Sequence, residues 1–223
     1  LIETLRAGFR AVAGAAMAQD SAHDLAHLDR VWTSCQTIAA QDGGDLRVLV
    51  AAAYLHDLVN LPKDAPNRAE ASRLAAHQAL PYLAQAGYSE AEQTATAHAI
   101  EAHSFSADIT SQTPEARILR DADRLDAIGP IGVARVFAVS GGLGRALYHP
   151  DDPFALCRDL DDTRYAIDHF AVKLLRLEAD MLTDTGKRLA QDRTAHMVDF
   201  LNSLAMDIGH PAPTHWHPEA LNA

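Results

Sequence analysis

The sequence predicts an all-α fold on three observations. Alanine is abundant while β-branched runs are scarce, apolar residues recur at three- and four-residue spacings, and no strand-like alternation is worth naming. With 48% apolar and 22% charged residues over 223 positions, the chain has a folded globular composition and is long enough to close its own core without staples. A net charge of −11, from 19 basic against 30 acidic residues, argues against a nucleic-acid-binding surface. Any anionic ligand must then be held locally, by a metal or a few arginines. The two cysteines, Cys35 and Cys157, have neither metal nor disulfide spacing, so a reducing cytoplasm is the expected setting. No apolar run approaches the roughly 20 residues of a membrane span, and no leader pattern is legible.

A first helix is expected over about 2–18, and a second from a cap at Asp20 or Ser21 to the stop at Asp42-Gly43-Gly44. The third, about 45–59, is apolar on nearly every side through 48–55 and should be a central buried helix. Pro62 and Pro66 end it and make a loop over 61–67. A fourth helix, about 67–86, tolerates or kinks at Pro81 and ends at Gly87. Ser89 with Glu92 forms a capping box for a fifth, about 90–103, and Thr113-Pro114 opens a sixth, about 114–127. Gly129-Pro130 interrupts before a short helix at about 131–139. The Gly-, Pro- and Asp-rich segment 140–162 reads as one long ordered loop. Helices at about 163–181 and 186–208 follow, and the proline-bearing tail 210–223 reads as loose.

The strongest chemical anomaly is His56-Asp57, directly after the most apolar helix. A carboxylate there needs a strong partner, because burying it alone costs several kcal/mol. A divalent cation is such a partner, taking imidazole nitrogen and carboxylate oxygen together. The doublet could also serve merely as a helix-end cap. Further donors are His23 and His27, four apart, and Asp121, Asp123 and Asp126, of which Asp123 and Asp126 share a helix face.

His27 followed by Arg30-Val31, the Tyr54-Leu55-His56-Asp57 segment and Asp121-Ala122-Asp123-Arg124-Leu125 together resemble the HD-domain superfamily of metal-dependent phosphohydrolases. His98–His103 with Ser104-Phe105-Ser106, and Asp168-His169-Phe170 with Lys173, resemble a small, poorly characterised bacterial branch of it. The resemblance implies an HD helical bundle with a C-terminal helical extension: one domain over 1–209, its metal-binding core at about 20–130 and C-terminal helices at about 163–208. It implies His27, His56, Asp57 and Asp123 as ligands of one divalent ion, with manganese, magnesium, iron, nickel and zinc equally acceptable. The expected activity is hydrolysis of a phosphate ester or nucleotide by metal-activated water.

Around that ligand set, Asp57, His103 and Arg30 are the candidate catalytic residues. Arg30, three residues after His27, reads as a phosphate holder, an orienting partner of Asp57 or Asp123, or a surface ion pair. Lys63 in the 61–67 loop, Asn60 four residues after His56, His103 and Arg145 are candidate substrate contacts. Several branches of the superfamily place an acid where this chain has Asn60, which can orient water but cannot take its proton, so that either the metal-bound hydroxide needs no base or Asp64 serves as one. Asp168, His169 and Lys173 are second-rank candidates. Two rival readings are a di-iron oxygenase on the same scaffold, for which His98 and His103 are the extra donors, and a non-catalytic nucleotide sensor. The expected partner is a small phosphorylated molecule, with no membrane or nucleic acid. Homo-oligomerisation stays open, because no heptad or apolar stripe argues for it.

Overall fold

Helix α3, Leu46–Leu55, is where the architecture starts, because its sequence offers no polar face: every residue from Val48 to Leu55 is buried. The computed structural model describes residues 1–16, 24–59, 61 and 67–221, which form two compact units, Leu1–Asp123 and Arg124–Ala223. The all-α expectation holds. Among the described residues there is no strand, only an isolated parallel bridge between Ala146 and Tyr165.

In the first unit α3 is packed by α1 (Ile2–Ala16), α2 (Leu25–Asp42), α4 (Ala71–Gln85) and α5 (Glu90–His103). Helix α2 starts later than the sequence suggested. Its cap is Asp24, whose carboxylate accepts the His27 N–H at 2.7 Å, in place of Asp20 or Ser21, which lie outside the described residues. The 48–55 run ends as helix at Leu55, and His56 caps it. Helix α4 is preceded by a short 3-10 turn, Arg68–Glu70, and passes through Pro81 without stopping. Both arms of the Ser89–Glu92 capping box are made.

Helix α6, Pro114–Asp126, opens with Thr113 Oγ1 accepting the Ala116 N–H at 3.2 Å. Gly44, at φ +123°, lets α6 approach the turn before α3. A Cβ there would stand 2.8 Å from the Ile118 side chain, and the neighbouring Asp45 N–H donates to Glu115 at 2.9 Å.

A part-exposed polar knot around the buried Tyr54 ties α1, α2 and α3 together. Tyr54 donates its hydroxyl to Asp29 at 2.7 Å and accepts from Arg6 at 3.0 Å, while Arg10 Nε donates to both Asp29 oxygens at 3.1 Å.

In the second unit α7 runs Gly129–Gly142, longer than expected, because Pro130 sits in its first turn, where no N–H is needed. The helix expected at about 163–181 is instead α8 (Asp168–Val172) and a 3-10 segment, Leu174–Asp180, separated at Lys173 with φ −135° and ψ −59°. Helix α9, Asp184–Asp207, is capped by Thr183, whose Oγ1 accepts the Gly186 N–H at 3.0 Å. Phe137, Phe170 and Phe200 meet across these elements with ring centroids 5.8–6.4 Å apart. The tail read as loose is packed: Trp216 is 2% exposed against Phe154, and His215 Nε2 lies 2.8 Å from the Phe154 carbonyl, before the short α10 (Pro218–Leu221). An indole that large outweighs the prolines around it. Among the described residues no single helix is long and apolar enough to cross a membrane.

The knot carries a pH dependence. Burial pushes Asp29 up, but the Arg10 and Tyr54 hydrogen bonds and the Arg10 and Arg6 charges outweigh it and hold the carboxyl below its ordinary value. A depressed carboxyl stabilises the fold above its unfolded value, and that contribution is lost as pH falls through the lowered one. Asp29→Asn should therefore destabilise the protein most at about pH 7, with the difference from wild type shrinking toward about pH 3. Denaturant titrations across that range check it; a loss equal at every pH would remove the ionised carboxylate from the explanation.

Candidate metal centre

Four helix ends bring the candidate residues together. Asp24 starts α2 so that His27 falls in its first turn, His56 closes α3 with Asp57 in the turn behind it, and His103 is the last residue of α5. Asp123 lies in the last turn of α6. His27 Nε2 stands 3.7 Å from Asp57 Oδ2 and 3.5 Å from Asp123 Oδ1, and His56 Nε2 stands 3.5 and 3.9 Å from the same two oxygens. One donor atom each from His27, His56 and Asp57 lies within 4.8 Å of the others, with Asp123 as the fourth member.

These separations test the fit of a cation. They are too long for good hydrogen bonds. Two ligands about 2.1 Å from one ion stand about 3.4 Å apart at the tetrahedral angle, close to what is seen. His56 supplies the sharper observation. Its Nδ1 lies 3.0 Å from the Ala53 carbonyl and donates to it, which leaves the Nε2 lone pair aimed inward, where it is buried with no hydrogen-bond partner among the described residues. A carbonyl-anchored imidazole with a bare inner nitrogen is the arrangement of a metal-ligating histidine. The ends of α3 and α5 add partial negative charge, which also favours a cation. The residues present fit a divalent ion.

The protonation pattern agrees. Burial pushes Asp57 up, but the facing imidazoles of His56, His103 and His27 outweigh it, against Asp123, and the carboxyl sits below its ordinary value. Asp57 is thus poised as an anion, the form that binds metal. His103 belongs to the same group, its ring 4.8 Å from that of His56 and its Nδ1 2.5 Å from the Ile100 carbonyl. Burial, aided by His56, lowers the His103 pKa against the opposing pull of Asp123, Asp57 and that carbonyl. His103 is therefore a neutral imidazole with an accepting Nε2, better suited to receive a hydrogen bond or proton than to serve as the general acid.

The other candidates separate. His98 turns away, its half-exposed ring accepting the Gln112 N–H at 3.1 Å, so the pair of extra histidines required by a di-iron centre is not assembled. Asp126, expected on the face of Asp123, is held by Arg135 at 2.8 Å. Asp121 is fully buried. Arg30 is half-buried on α2, one turn beyond His27. Arg145 is half-buried in the second unit, where its N–H closes a turn on Ser140 at 2.9 Å. His23, Asn60, Lys63 and Asp64 lie outside the described residues.

Asp168 is a structural residue. Fully buried, it takes both Arg158 nitrogens at 2.6 and 2.8 Å and the Asp161 N–H at 2.7 Å. His169 contacts Asp162 at 2.7 Å, and Lys173 is exposed. The sequence reading missed Asp24 and the Ala53 carbonyl. An aspartate three residues before His27 is a capping signal, whereas a backbone acceptor leaves no trace in residue identity.

The comparisons agree with the geometry. The HD domain family model matches residues 24–128. YpgQ of Bacillus subtilis (strain 168), an uncharacterized protein, is 32% identical over 194 residues, covering 85% of this chain and 86% of its own length. The chain belongs to the HD-domain superfamily. Among solved structures, B. subtilis YpgQ in complex with ADP superposes with a TM-score of 0.70 at 30% identity, covering 93% of this chain and 98% of that one. An HD-superfamily hydrolase from Bacillus thuringiensis gives 0.73 at 26% identity, covering 94% and 99%. This HD protein therefore has the fold of the superfamily's hydrolases, and HD domains bind divalent metals.

Two outcomes check these assignments. His56→Ala should abolish retention of a divalent metal while His98→Ala keeps the wild-type stoichiometry, as read by elemental analysis after gel filtration. Asp168→Ala, which strands the Arg158 guanidinium, should cost about 3–5 kcal/mol in denaturant unfolding.

Proposed function

We propose that this HD protein is a divalent-metal-dependent phosphohydrolase that cleaves a small phosphorylated substrate, a nucleotide in the first instance. The observation that carries the proposal is the convergence of His27, His56, Asp57 and Asp123, with His56 Nε2 buried and bare. The nucleotide half is supported by YpgQ, a relative that has been crystallised with ADP. We also take residues 1–209 as one HD-type domain, since the family match runs from 24 to 128, past the end of the first unit at Asp123 and along one continuous helix α6.

His27, His56, Asp57 and Asp123 would hold the metal. When bound, it lowers the pKa of water and polarises a phosphoryl oxygen. The remaining roles fall to the chain's own side chains. Ala53 holds the His56 tautomer through Nδ1, and Ile100 does the same for His103. The neutral His103 offers Nε2 as an acceptor for a substrate hydroxyl or a proton. Arg30 is assigned to a phosphate oxygen, for which a guanidinium is the suited partner. Asn60 and Lys63 are assigned to orienting water and to phosphate. Asp57 and Asp123 keep partial contact with solvent, at 18% and 32% side-chain exposure, so a ligand can reach them, whereas the two imidazoles are sealed.

The test is direct. Protein stripped of metal and reloaded with manganese, magnesium, iron, nickel or zinc in turn should hydrolyse a panel of nucleotides and sugar phosphates with at least one ion. Asp57→Ala should lose both the metal and turnover, and full activity in that variant would defeat the assignment. ADP binding with no turnover across every ion would favour the sensor instead.

A further inference from the structure

The chain keeps its large aromatic side chains away from water with one exception. Phe9, Phe154, Phe170, Trp32, Trp216, Tyr54, Tyr88 and Tyr165 are all buried, and Phe137, Phe200, Tyr82 and Tyr148 are half-buried. Phe105 is 81% exposed, alone in that class among the described residues. It is also only two residues beyond His103, whose ring is 4.8 Å from the His56 ring. Two residues of chain span at most about 7 Å, so the Phe105 backbone stays close to that of His103, whose ring faces His56 at the metal centre.

The exposure is built into the turn. His103 is fixed behind Phe105 through Ile100, Ser104 and Ser106 meet through their hydroxyls at 3.1 Å across it, and Ala107 is buried after it. Asp108, at φ +51°, returns its N–H to the Phe105 carbonyl at 3.4 Å, a left-handed conformation that non-glycine residues seldom adopt. The 3-10 turn Phe105–Ala107 packs against the Arg68–Glu70 turn that precedes α4. A phenyl ring anchored this way in water, beside a centre that takes phosphate, is a platform for a flat apolar group joined to that phosphate.

We propose that Phe105 stacks on the nucleobase of the substrate and sets a preference for base-bearing phosphates over sugar phosphates. The inference rests on the phosphohydrolase reading above and adds the residue that recognises the non-reacting part of the substrate. Stacking on an aromatic side chain is indifferent to base identity, since every base has a π-face. Phe105 therefore selects nucleotides as a class.

The experiment uses the full chain with manganese and two probes, ADP and ribose 5-phosphate. Phe105→Ala should weaken ADP binding by about tenfold or more in calorimetry. In turnover it should raise KM for a nucleotide and leave kcat within about twofold, because the ring is remote from the reacting phosphorus. Binding and hydrolysis of ribose 5-phosphate should not change. Phe105→Trp should restore ADP affinity and give an emission that ADP quenches and ribose 5-phosphate does not. Wild-type binding of ADP with equal affinity in Phe105→Ala would overturn the inference alone. Failure of the wild type to bind ADP while it hydrolyses other phosphoesters would overturn the nucleotide reading and this inference together.

Discussion

Two carboxylates and two inward-pointing imidazole nitrogens, set 3.5–3.9 Å apart, are too far apart for good hydrogen bonds and at the spacing at which a cation joins them. Everything nearby serves that unfinished interaction. Asp24 fixes where α2 begins and so where His27 falls in its first turn. The apolar sequence of α3 buries its own end, so that His56 arrives at the site desolvated and Asp57 only partly exposed. The Ala53 and Ile100 carbonyls each consume one imidazole proton and so dictate which nitrogen faces in. Without those carbonyls the histidines could present a proton where a lone pair is needed.

The same arrangement explains the division of labour among the acids. A fully buried carboxylate with a matched guanidinium, such as Asp168 with Arg158, has no capacity left for chemistry. Asp126, taken by Arg135, is in the same position. Asp57 and Asp123 differ because imidazoles, which are not obliged to be charged, face them. Imidazole nitrogens at 3.5–3.9 Å are spaced for a shared cation and not for direct hydrogen bonds, and partial exposure of the two carboxylates leaves a path to it.

Much of this was legible in the residues, and the failures have physical causes. Helix α3, the Ser89 capping box and the Thr113-Pro114 start could be read because each is a local preference with a local partner. The His27, His56-Asp57 and Asp123 grouping was legible from its motifs, since the order along the chain survives folding even when distances do not. The start of α2 was misplaced because three acceptable caps, Asp20, Ser21 and Asp24, compete within five residues. The break at Lys173 was invisible, because the segment around it has helical spacing and only its backbone angles depart from the helix. The tail was misjudged by weighing its prolines above its indole, although one buried tryptophan outweighs several turn-forming residues.

His98 and His103 show what spacing can decide and what it leaves to the fold. Five residues apart on α5, they differ by about 140° around the axis, so one helix cannot aim both at the same ion. Which one faces inward depends on what the loop after α5 offers. The backbone of Gln112 offers a donor to His98, and His103 is left against His56. The helix then ends at once, and the next side chain but one, Phe105, is released to solvent beside the site. On the proposed reading, a single helix terminus would supply a neutral imidazole to the reacting end of the ligand and an aromatic face to its other end. The distance between those two functions is fixed by two peptide units.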